Sequence, residues 1–389
     1  MSAATATDSL PFHLRGNFAP VGDEATLGEL RVEGALPPEL NGMYVRTGPN
    51  PPSGSSPHWF FGAGMVHGVR LEHGRALGYR NRYVRTRRFE NPEAPRVSPE
   101  GKFDYSLSAA NTHVLSHAGK IWALEEQSFP YFLDRELNTL GWSDFGGKLS
   151  CPFTAHPKTC ATTGELLGFG YSPFAPYFTF HRVSKTGELV ETRAVETKGP
   201  SMMHDFAITQ SRILILDLSI VFDLSRAMKG EMPYRFDESY GARIGVMPRD
   251  RIGAVRWFEI QPCFVFHVVN AWDEGERVVV DASRYASLWR EPGTFSAGGG
   301  QTVHRYTLDL ASGIAKEETL EERATEFPRV ADDRVGLKHR FSYLTLAALT
   351  DAVSPRLEGL LKMDAASGKT EEHCFGPQQI GRASCRERV

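Results

Sequence analysis

Apolar and polar positions along the chain follow the short period of β-strands, and helical periodicity is scarce. Runs rich in aromatic and β-branched residues end at breaks that contain Gly, Asn, Asp or Pro. The runs predict strands at Gly42–Thr47, Met65–Leu71, Lys120–Leu124, Leu166–Gly170, Arg212–Leu218, Cys263–Val269, Arg277–Asp281 and Val303–Leu308. Short helices are predicted at Ala35–Leu40, Tyr285–Arg290 and Glu317–Ala324. Strands without βαβ alternation over this length indicate an all-β fold: a large sandwich, a barrel or a propeller.

Two pairs of similar turns favour a fold built from repeated hairpins. Asp309–Gly313 and Asp364–Gly368 share the pattern Asp-x-x-x-Gly, and the tips at Thr163–Glu165 and Thr186–Glu188 both read Thr-Gly-Glu. Four-stranded blades with polar outer turns would show such echoes. No linker divides the chain, so we predict a single domain over residues 1–380. The last residues, GRASCRERV, have no strand pattern, and we expect residues 381–389 to be a foreign or disordered tail.

Composition and charge argue against several classes of protein. Lys plus Arg is 44 and Asp plus Glu is 47, so the formal net charge of −3 argues against a generic basic nucleic-acid binder. Five cysteines without a C-x-x-C pair do not indicate a disulfide framework or a structural zinc site. The N-terminus has no apolar signal-peptide core, and the most apolar stretch, 213–222, is too short to span a membrane. We expect a cytoplasmic protein, with contact to a membrane surface left open.

Three histidines lie among apolar residues at intervals that match the length of a propeller blade: His156, His204 and His267. A buried imidazole must be neutral and hydrogen-bonded, or bound to a metal. Each of the three is also compatible with an ordinary core or turn histidine. His67 and His113 are equally promising by pattern, and spacing alone does not choose among the five.

Two glutamates stand beside an aromatic residue and a proline, where a solvated charge is not the obvious expectation: Glu126 and Glu326. A carboxylate that accepts a histidine N–H is the usual partner of a metal-bound imidazole. An exposed or salt-bridged glutamate is an equally good interpretation of the pattern. Signatures of serine hydrolases, zinc proteases, P-loops and dinucleotide folds are missing from the sequence.

Several segments together carry a family resemblance: Asn41–Pro51, His58–His67, Asn111–His113, Phe153–Lys158, Met203–Thr209, Phe266–Asn270 and Glu326–Arg329. In these segments the chain resembles the carotenoid cleavage oxygenase family, and the resemblance extends from Leu14 to about Gly376. It implies a seven-bladed β-propeller with a cap of loops and a few helices. It also implies one Fe(II) held by four histidines, and O2-dependent cleavage of a conjugated C=C bond into two carbonyl products.

Carried over residue by residue, the resemblance makes His156, His204 and His267 iron ligands. Glu126 would then support His204, and Glu326 would support His267, while His67 and His113 would be structural. A polyene substrate would bind in a mainly apolar pocket, with O2 as the second reactant. A stilbene-cleaving dioxygenase and a non-catalytic ligand-binding propeller are the alternatives.

The chain departs from the family pattern in three places. Phe61–Met65 reads Phe-Gly-Ala-Gly-Met where the family usually has Asp-Gly-Asp-Gly-Met. Glu125 stands where stilbene-cleaving relatives tend to have a lysine, which favours a carotenoid or apocarotenoid substrate. The fourth histidine and third glutamate of the family lie beyond Phe375–Pro377, where this chain ends in GRASCRERV. We therefore expect an incomplete last blade and an inactive chain; His373 is outside the matching motif.

Overall fold

The structure is a computed structural model, and it describes residues 10–28, 30–229, 231–290, 301–348 and 356–375. Strands, turns and loops make up nearly all of these residues. The helical pieces are the α-helices α1 (Arg87–Glu90) and α2 (Leu224–Met228) and 3-10 turns at Phe12–Leu14, Gly16–Phe18, Glu238–Tyr240 and Asp332–Arg334. Among the described residues, no helix is long and apolar enough to cross a membrane.

The chain divides into two compact units, and the first contains Met1–Ala155 and Val183–Val190. It holds two four-stranded antiparallel sheets, with strand orders β1-β4-β3-β2 and β5-β6-β7-β8. The strands are β1 (Thr26–Leu27), β2 (Gly42–Asn50), β3 (Ala63–Glu72), β4 (Arg75–Tyr83), β5 (His113–His117), β6 (Lys120–Leu124), β7 (Tyr131–Leu133) and β8 (Thr139–Trp142).

The second unit contains His156–Arg182 and Glu191–Val389. The remaining strands lie in it, apart from the end of β11 and the start of β12, which belong to the first unit. They are β9 (Lys158–Thr159), β10 (Leu166–Tyr171), β11 (Phe178–Val183), β12 (Leu189–Val195), β13 (Ala207–Ile208), β14 (Arg212–Asp217), β15 (Ile220–Phe222), β16 (Tyr234–Phe236), β17 (Ala242–Pro248), β18 (Arg256–Ile260), β19 (Phe264–Glu274), β20 (Arg277–Tyr285), β21 (Gln301–Asp309), β22 (Ala315–Glu321), β23 (Thr325–Arg329), β24 (Phe341–Ala348), β25 (Arg356–Asp364) and β26 (Lys369–Cys374). The sheet orders are β12-β11-β10-β9, β13-β14-β17-β18, β15-β16, β19-β20-β21-β22 and β23-β24-β25-β26.

Strands that are apolar on both faces supply the core of the second unit. All six residues of β10 are buried, and so are Ile213, Leu214, Ile215 and Leu216 of β14. Such strands are covered on both sides, so they carry no alternation of apolar and polar residues. The cost of burying their backbone is met by the antiparallel ladders, such as the continuous register of β14 with β17.

The sequence predicts the strands well and the helices poorly. All eight predicted strands are present, and they begin or end within a few residues of the predicted bounds. The three predicted helices are wrong. Pro37 and Pro38 interrupt the first, β20 includes the start of the second, and the third is strand β22. In β22 the helix-favouring Glu and Lys residues are half-exposed or exposed on an edge strand, where pairing with β21 overrides their propensity.

Two of the predicted polar turns, Asp309–Gly313 and Asp364–Gly368, lie at the outer hairpins of their sheets. Asp309 ends β21, and its carboxylate accepts hydrogen bonds from the backbone N–H groups of Ala311 and Ser312. Asp364 plays the same part after β25, accepting from the N–H of Ala366. Each turn therefore joins the third and fourth strands of its sheet.

The all-β prediction is confirmed, and successive four-stranded antiparallel sheets are the repeating unit of a β-propeller. The expected number of blades is wrong for the described residues, which form six four-stranded sheets rather than seven. Seven came from the family resemblance and not from a repeat in this sequence. Between β14 and β17, the chain makes the separate β15–β16 pair instead of a further blade. The expected tail at 381–389 lies outside the described residues.

Gly64, in the segment Phe61–Met65, cannot be replaced by a larger residue for a steric reason. A Cβ on Gly64, at the start of β3, would lie 2.1 Å from the carbonyl oxygen of Ala110, and the Gly64 N–H donates to the oxygen of Ala109 at 2.7 Å. The backbone of β3 packs against this segment, and no side chain fits between them. Replacing the family's acidic residue by Ala63 leaves this contact intact.

Candidate metal centre

Three histidines of the second unit lie at the first strands of three consecutive sheets. His156 is in the bend just before β9, His204 is in the loop just before β13, and His267 is on β19. Each of these strands is the first of its four-stranded sheet in chain order. Because the three histidines occupy equivalent positions in repeated sheets, they can lie close together although they are distant in the sequence.

The three imidazoles form a compact group. One ring nitrogen from each histidine lies within 4.8 Å of the other two, and the ring centroids are 4.5, 5.0 and 5.1 Å apart. All three side chains are partly buried. Two nitrogens that share one ion at about 2.1 Å can be up to about 4.2 Å apart, so the group is close to the spacing that a bound ion requires. The donor set also fits, since imidazole nitrogen suits iron.

A carboxylate lies directly behind one of the imidazoles. His267 Nδ1 is 2.6 Å from Glu326 Oε2, and both side chains are largely buried. An ionised carboxylate only accepts hydrogen bonds, so Nδ1 carries the proton and donates it. The lone pair of His267 is then on Nε2, which is the atom available to a metal.

Both partners of this pair lie at β-bulges. The register of β19 with β20 shifts between Val265 and Val268, around His267. The register of β23 with β24 shifts directly after Glu326, and the next residue, Phe327, has a positive φ of 53°. Bulges turn a side chain away from the regular alternation of a strand, and they are common next to active sites.

Glu326 is held by more than the histidine. Tyr285, at the end of β20, donates its O–H to Glu326 Oε1 at 2.8 Å, and the Phe327 N–H donates to Oε2 at 2.8 Å. Burial, reinforced by the Glu326 charge, raises the pKa of Tyr285 well above its ordinary value, so the phenol keeps its proton. Both carboxylate oxygens therefore have a donor, which fixes the orientation of the group.

Aromatic rings surround the imidazoles. Phe266 contacts the His204 ring edge-on at a centroid distance of 5.3 Å, and the Phe327 ring is 5.2 Å from that of His267. Sequence reasoning missed Tyr285 and the part played by these rings. The position of Phe266 next to His267 in the sequence could have indicated that its ring contacts the imidazoles. Nothing in the sequence around Tyr285 indicated a hydrogen bond to Glu326.

The remaining candidates are in different surroundings. Glu126 is half-buried in the turn after β6, in the first unit, so its support of His204 stays a prediction. His67 is buried and its Nδ1 is 2.7 Å from the Tyr79 O–H; burial, with the Arg46 charge, lowers the pKa of His67 to about 4. His113 begins β5, and the exposed His373 is on β26. Among the described residues, only His156, His204 and His267 form a metal-ligand group.

Comparison with known proteins decides the family. The family model described as retinal pigment epithelial membrane protein matches residues 18–389. Carotenoid 9,10(9',10')-cleavage dioxygenase 1 of Arabidopsis thaliana is 36% identical, over 92% of this chain and 73% of that protein. The carotenoid cleavage oxygenase of Mycobacterium tuberculosis is also 36% identical, over 98% and 87% of the two chains. The chain belongs to the carotenoid cleavage oxygenase family.

Solved structures of two proteins similar to this chain share its fold. The lignostilbene dioxygenase of Pseudomonas brassicacearum has a TM-score of 0.82 at 26% identity, covering 95% of this chain and 84% of that one. An apocarotenoid oxygenase from Synechocystis has a TM-score of 0.79 at 24% identity, covering 92% and 82%. Membership of the carotenoid cleavage oxygenase family, expected from the sequence, is confirmed. The named relatives are oxidoreductases, as the resemblance implied.

Proposed function

We propose that this protein is a non-haem Fe(II) dioxygenase that cleaves a conjugated C=C bond of a carotenoid or apocarotenoid. Both atoms of O2 enter the products, one in each new carbonyl group, so the reaction needs no external reductant. The observation that carries the proposal is the convergence of His156, His204 and His267, with the Glu326 carboxylate behind one of them.

Bound Fe(II) would supply the activation of O2, and the side chains of this protein would prepare its site. The imidazoles offer neutral nitrogen ligands, which leave the cation its charge. Glu326 fixes the tautomer of His267, and Tyr285 and the Phe327 N–H fix Glu326. Phe266 and Phe327 present apolar surface beside the imidazoles, which suits a polyene better than a polar substrate.

The substrate class rests on the relatives and on one residue. The two relatives at 36% identity are named for carotenoid cleavage. A lignostilbene dioxygenase is a structural neighbour, which keeps the stilbene alternative open. Glu125, whose carboxylate is 3.6 Å from the Arg96 guanidinium, stands in place of the lysine that stilbene-cleaving relatives tend to have. This acidic residue favours the carotenoid or apocarotenoid substrate.

The test is cleavage of a defined polyene by the iron-loaded protein. An apocarotenal and a hydroxystilbene are incubated separately under O2, and the carbonyl products are identified by mass spectrometry. We expect two aldehydes from the apocarotenal, and none from the His204→Ala variant, which should also lose its iron. Cleavage of the stilbene alone would replace the substrate proposal. Parental turnover by His204→Ala would refute the proposed site.

We also propose that residues 1–389 turn over slowly or not at all. The family resemblance implies a fourth histidine, whereas three imidazoles converge among the described residues. A three-nitrogen site leaves more positions open to water and holds the ion less firmly. Iron content and rate are measured on the same sample after a long incubation. Stoichiometric iron with rapid turnover would contradict this proposal. It would mean that a further residue binds the iron, and His373 would be the first residue to mutate in the search for that ligand.

Contact with a membrane surface is the last part of the proposal, since a polyene substrate partitions into lipid. Three apolar side chains in and near α2 are exposed: Leu224 by 52%, Met228 by 81% and Met232 by 43%. Met228→Glu should weaken co-flotation with phosphatidylcholine vesicles. Ile314→Glu is the matched control, because Ile314 is equally apolar and is 65% exposed on the β21–β22 turn. Equal flotation of the two variants would contradict membrane contact at α2.

A further inference from the structure

One carboxylate is bonded to all three histidine-bearing segments of the second unit. We infer that Asp205 is a positioning residue that ties these segments together and thereby sets the spacing of the three imidazoles. The inference rests on the proposed metal site and goes beyond it, because Asp205 is outside the ligand group.

The contacts of Asp205 reach each segment close to its histidine. Lys158, two residues after His156, places its Nζ 2.7 Å from Asp205 Oδ1. The backbone N–H of Val268, one residue after His267, donates to Oδ2 at 2.8 Å. Asp205 itself follows His204 directly.

The carboxylate is fixed in a single orientation. The N–H of Phe206 donates to Oδ1 at 2.8 Å, so both oxygens are engaged. Asp205 is 3% exposed, which leaves water little opportunity to replace these partners. Buried, charge-assisted hydrogen bonds of this kind are among the stronger ones in proteins.

The geometry explains why a rigid link is needed here. His156 and His204 are in loops and not within strands, so the ladders of β9 and β13 do not hold them directly. The bulge at His267 also lies in an interrupted part of its ladder. The Asp205 carboxylate bridges these three irregular segments one or two residues from each imidazole.

A purely structural role for Asp205 would affect stability without changing the metal site. Asp281 provides the comparison: it is also 3% exposed, and it is paired with Arg305 at 2.7 and 2.8 Å in the same unit. Asp281→Asn therefore removes an equally buried carboxylate charge. The two side-chain hydrogen bonds of Asp281 run to Arg305 on β21, a strand that carries none of the three histidines.

The experiment is a Co2+ titration of the parent, Asp205→Asn and Asp281→Asn, followed by visible absorption and by thermal unfolding. An amide has one acceptor oxygen, so Asp205→Asn turns an N–H toward Lys158 or Val268 and breaks one link. We expect Asp205→Asn to bind Co2+ about 10- to 100-fold more weakly, with an altered absorption spectrum. Asp281→Asn should lose a similar amount of thermal stability and keep the parental affinity and spectrum.

A second variant keeps the inference testable if Asp205→Asn does not fold. Lys158→Met retains the alkyl stem and both backbone bonds to Asp205, and removes only the link to the His156 segment. We expect a several-fold loss of Co2+ affinity. If Asp205→Asn keeps the parental Co2+ affinity and spectrum, the role of Asp205 is refuted and the proposed metal site still stands. If Asp205→Asn does not fold, the same result in Lys158→Met refutes that role. A parent protein whose Co2+ binding is absent or unaffected by His204→Ala would refute the proposed metal site, and the inference with it.

Discussion

At the scale of single residues, the Glu326 carboxylate has a donor on each oxygen, and Tyr285 is the donor opposite His267. Tyr285→Phe removes that O–H and leaves a buried oxygen without its partner. The cost in stability should be about 1.5–3 kcal/mol, as for hydrogen bonds to charged groups. Glu326 would also hold His267 less firmly, so metal affinity should fall by about 10-fold. Metal titration and denaturant unfolding measure the two effects.

The control for Tyr285 is another buried tyrosine of the same sheet. Tyr306, on β21, is 1% exposed, and its O–H is 3.7 Å from Cys263 Sγ. Tyr306→Phe should leave the metal affinity at the parental value. An equal loss in the two variants would mean that the effect comes from general destabilisation and not from Glu326.

Glu126 provides a prediction that the sequence alone supports. Glu126→Gln should weaken metal binding by about 10- to 100-fold if its carboxylate accepts the His204 N–H. The neighbouring Glu125→Gln is the control, because Glu125 is paired with Arg96. Metal affinity is compared at one pH. Parental affinity in Glu126→Gln would overturn the assignment of Glu126.

The sequence identified the three histidines and Glu326 as candidates because apolar flanks and family motifs mark them. It did not identify Asp205 or Tyr285 as partners, since their roles depend on pairing between distant strands. Asp205 reaches Val268 across a separation of 63 residues, and Tyr285 reaches Glu326 across 41. Such contacts follow from register and bulges, which single-sequence patterns do not determine.

At the scale of elements, the β23 bulge places Glu326 through an unusual backbone conformation at Phe327. The φ of 53° puts Phe327 in the left-handed region, which β-branched residues tolerate poorly. Phe327→Val should cost about 1–2 kcal/mol of stability and reduce metal affinity, because relaxing the bulge moves Glu326. Phe327→Asn should retain the bulge. Thermal unfolding and metal titration of both variants test this, and equal behaviour would show that φ at this position does not matter.

Strand prediction succeeded where burial produced clear runs, as in β14 and β10. It failed for the edge strand β22, whose Ala-Lys-Glu-Glu-Thr-Leu-Glu sequence favours a helix in isolation. The hydrogen-bonded ladder between β21 and β22 stabilises the strand conformation that the sequence of β22 does not favour by itself. Local sequence therefore determined the inner strands, and tertiary pairing determined this outer strand.

At the scale of the whole molecule, the fold class was predictable and the number of sheets was not. Short strands with polar turns indicate repeated antiparallel sheets, as found. The β15–β16 pair is inserted in the chain between β14 and β17, which pair directly with each other, and it forms a separate two-stranded sheet. Counting blades from such a pattern requires knowing which strands pair, and that information is not local.

Two buried histidines give the molecule a predictable response to acid. His339 is 7% exposed, and its Nδ1 is 3.2 Å from the Asn270 amide nitrogen. Burial, with the Arg305 charge, lowers the pKa of His339 to about 4, and the pKa of His67 is lowered to the same value. The unfolded chain, with an ordinary histidine pKa of about 6.5, binds more protons than the folded protein between these two pH values.

Stability that depends on a neutral His339 is therefore fully present above about pH 6.5 and is lost as the pH falls toward 4. The loss should reach about 3 kcal/mol for this histidine, since each pKa unit corresponds to about 1.4 kcal/mol. Denaturant unfolding at several pH values from 7.5 to 4 measures it. His339→Gln, which stays polar but does not titrate, should show a shallower decline. A decline equal to that of the parent would mean that other groups, and not His339, govern the acid sensitivity.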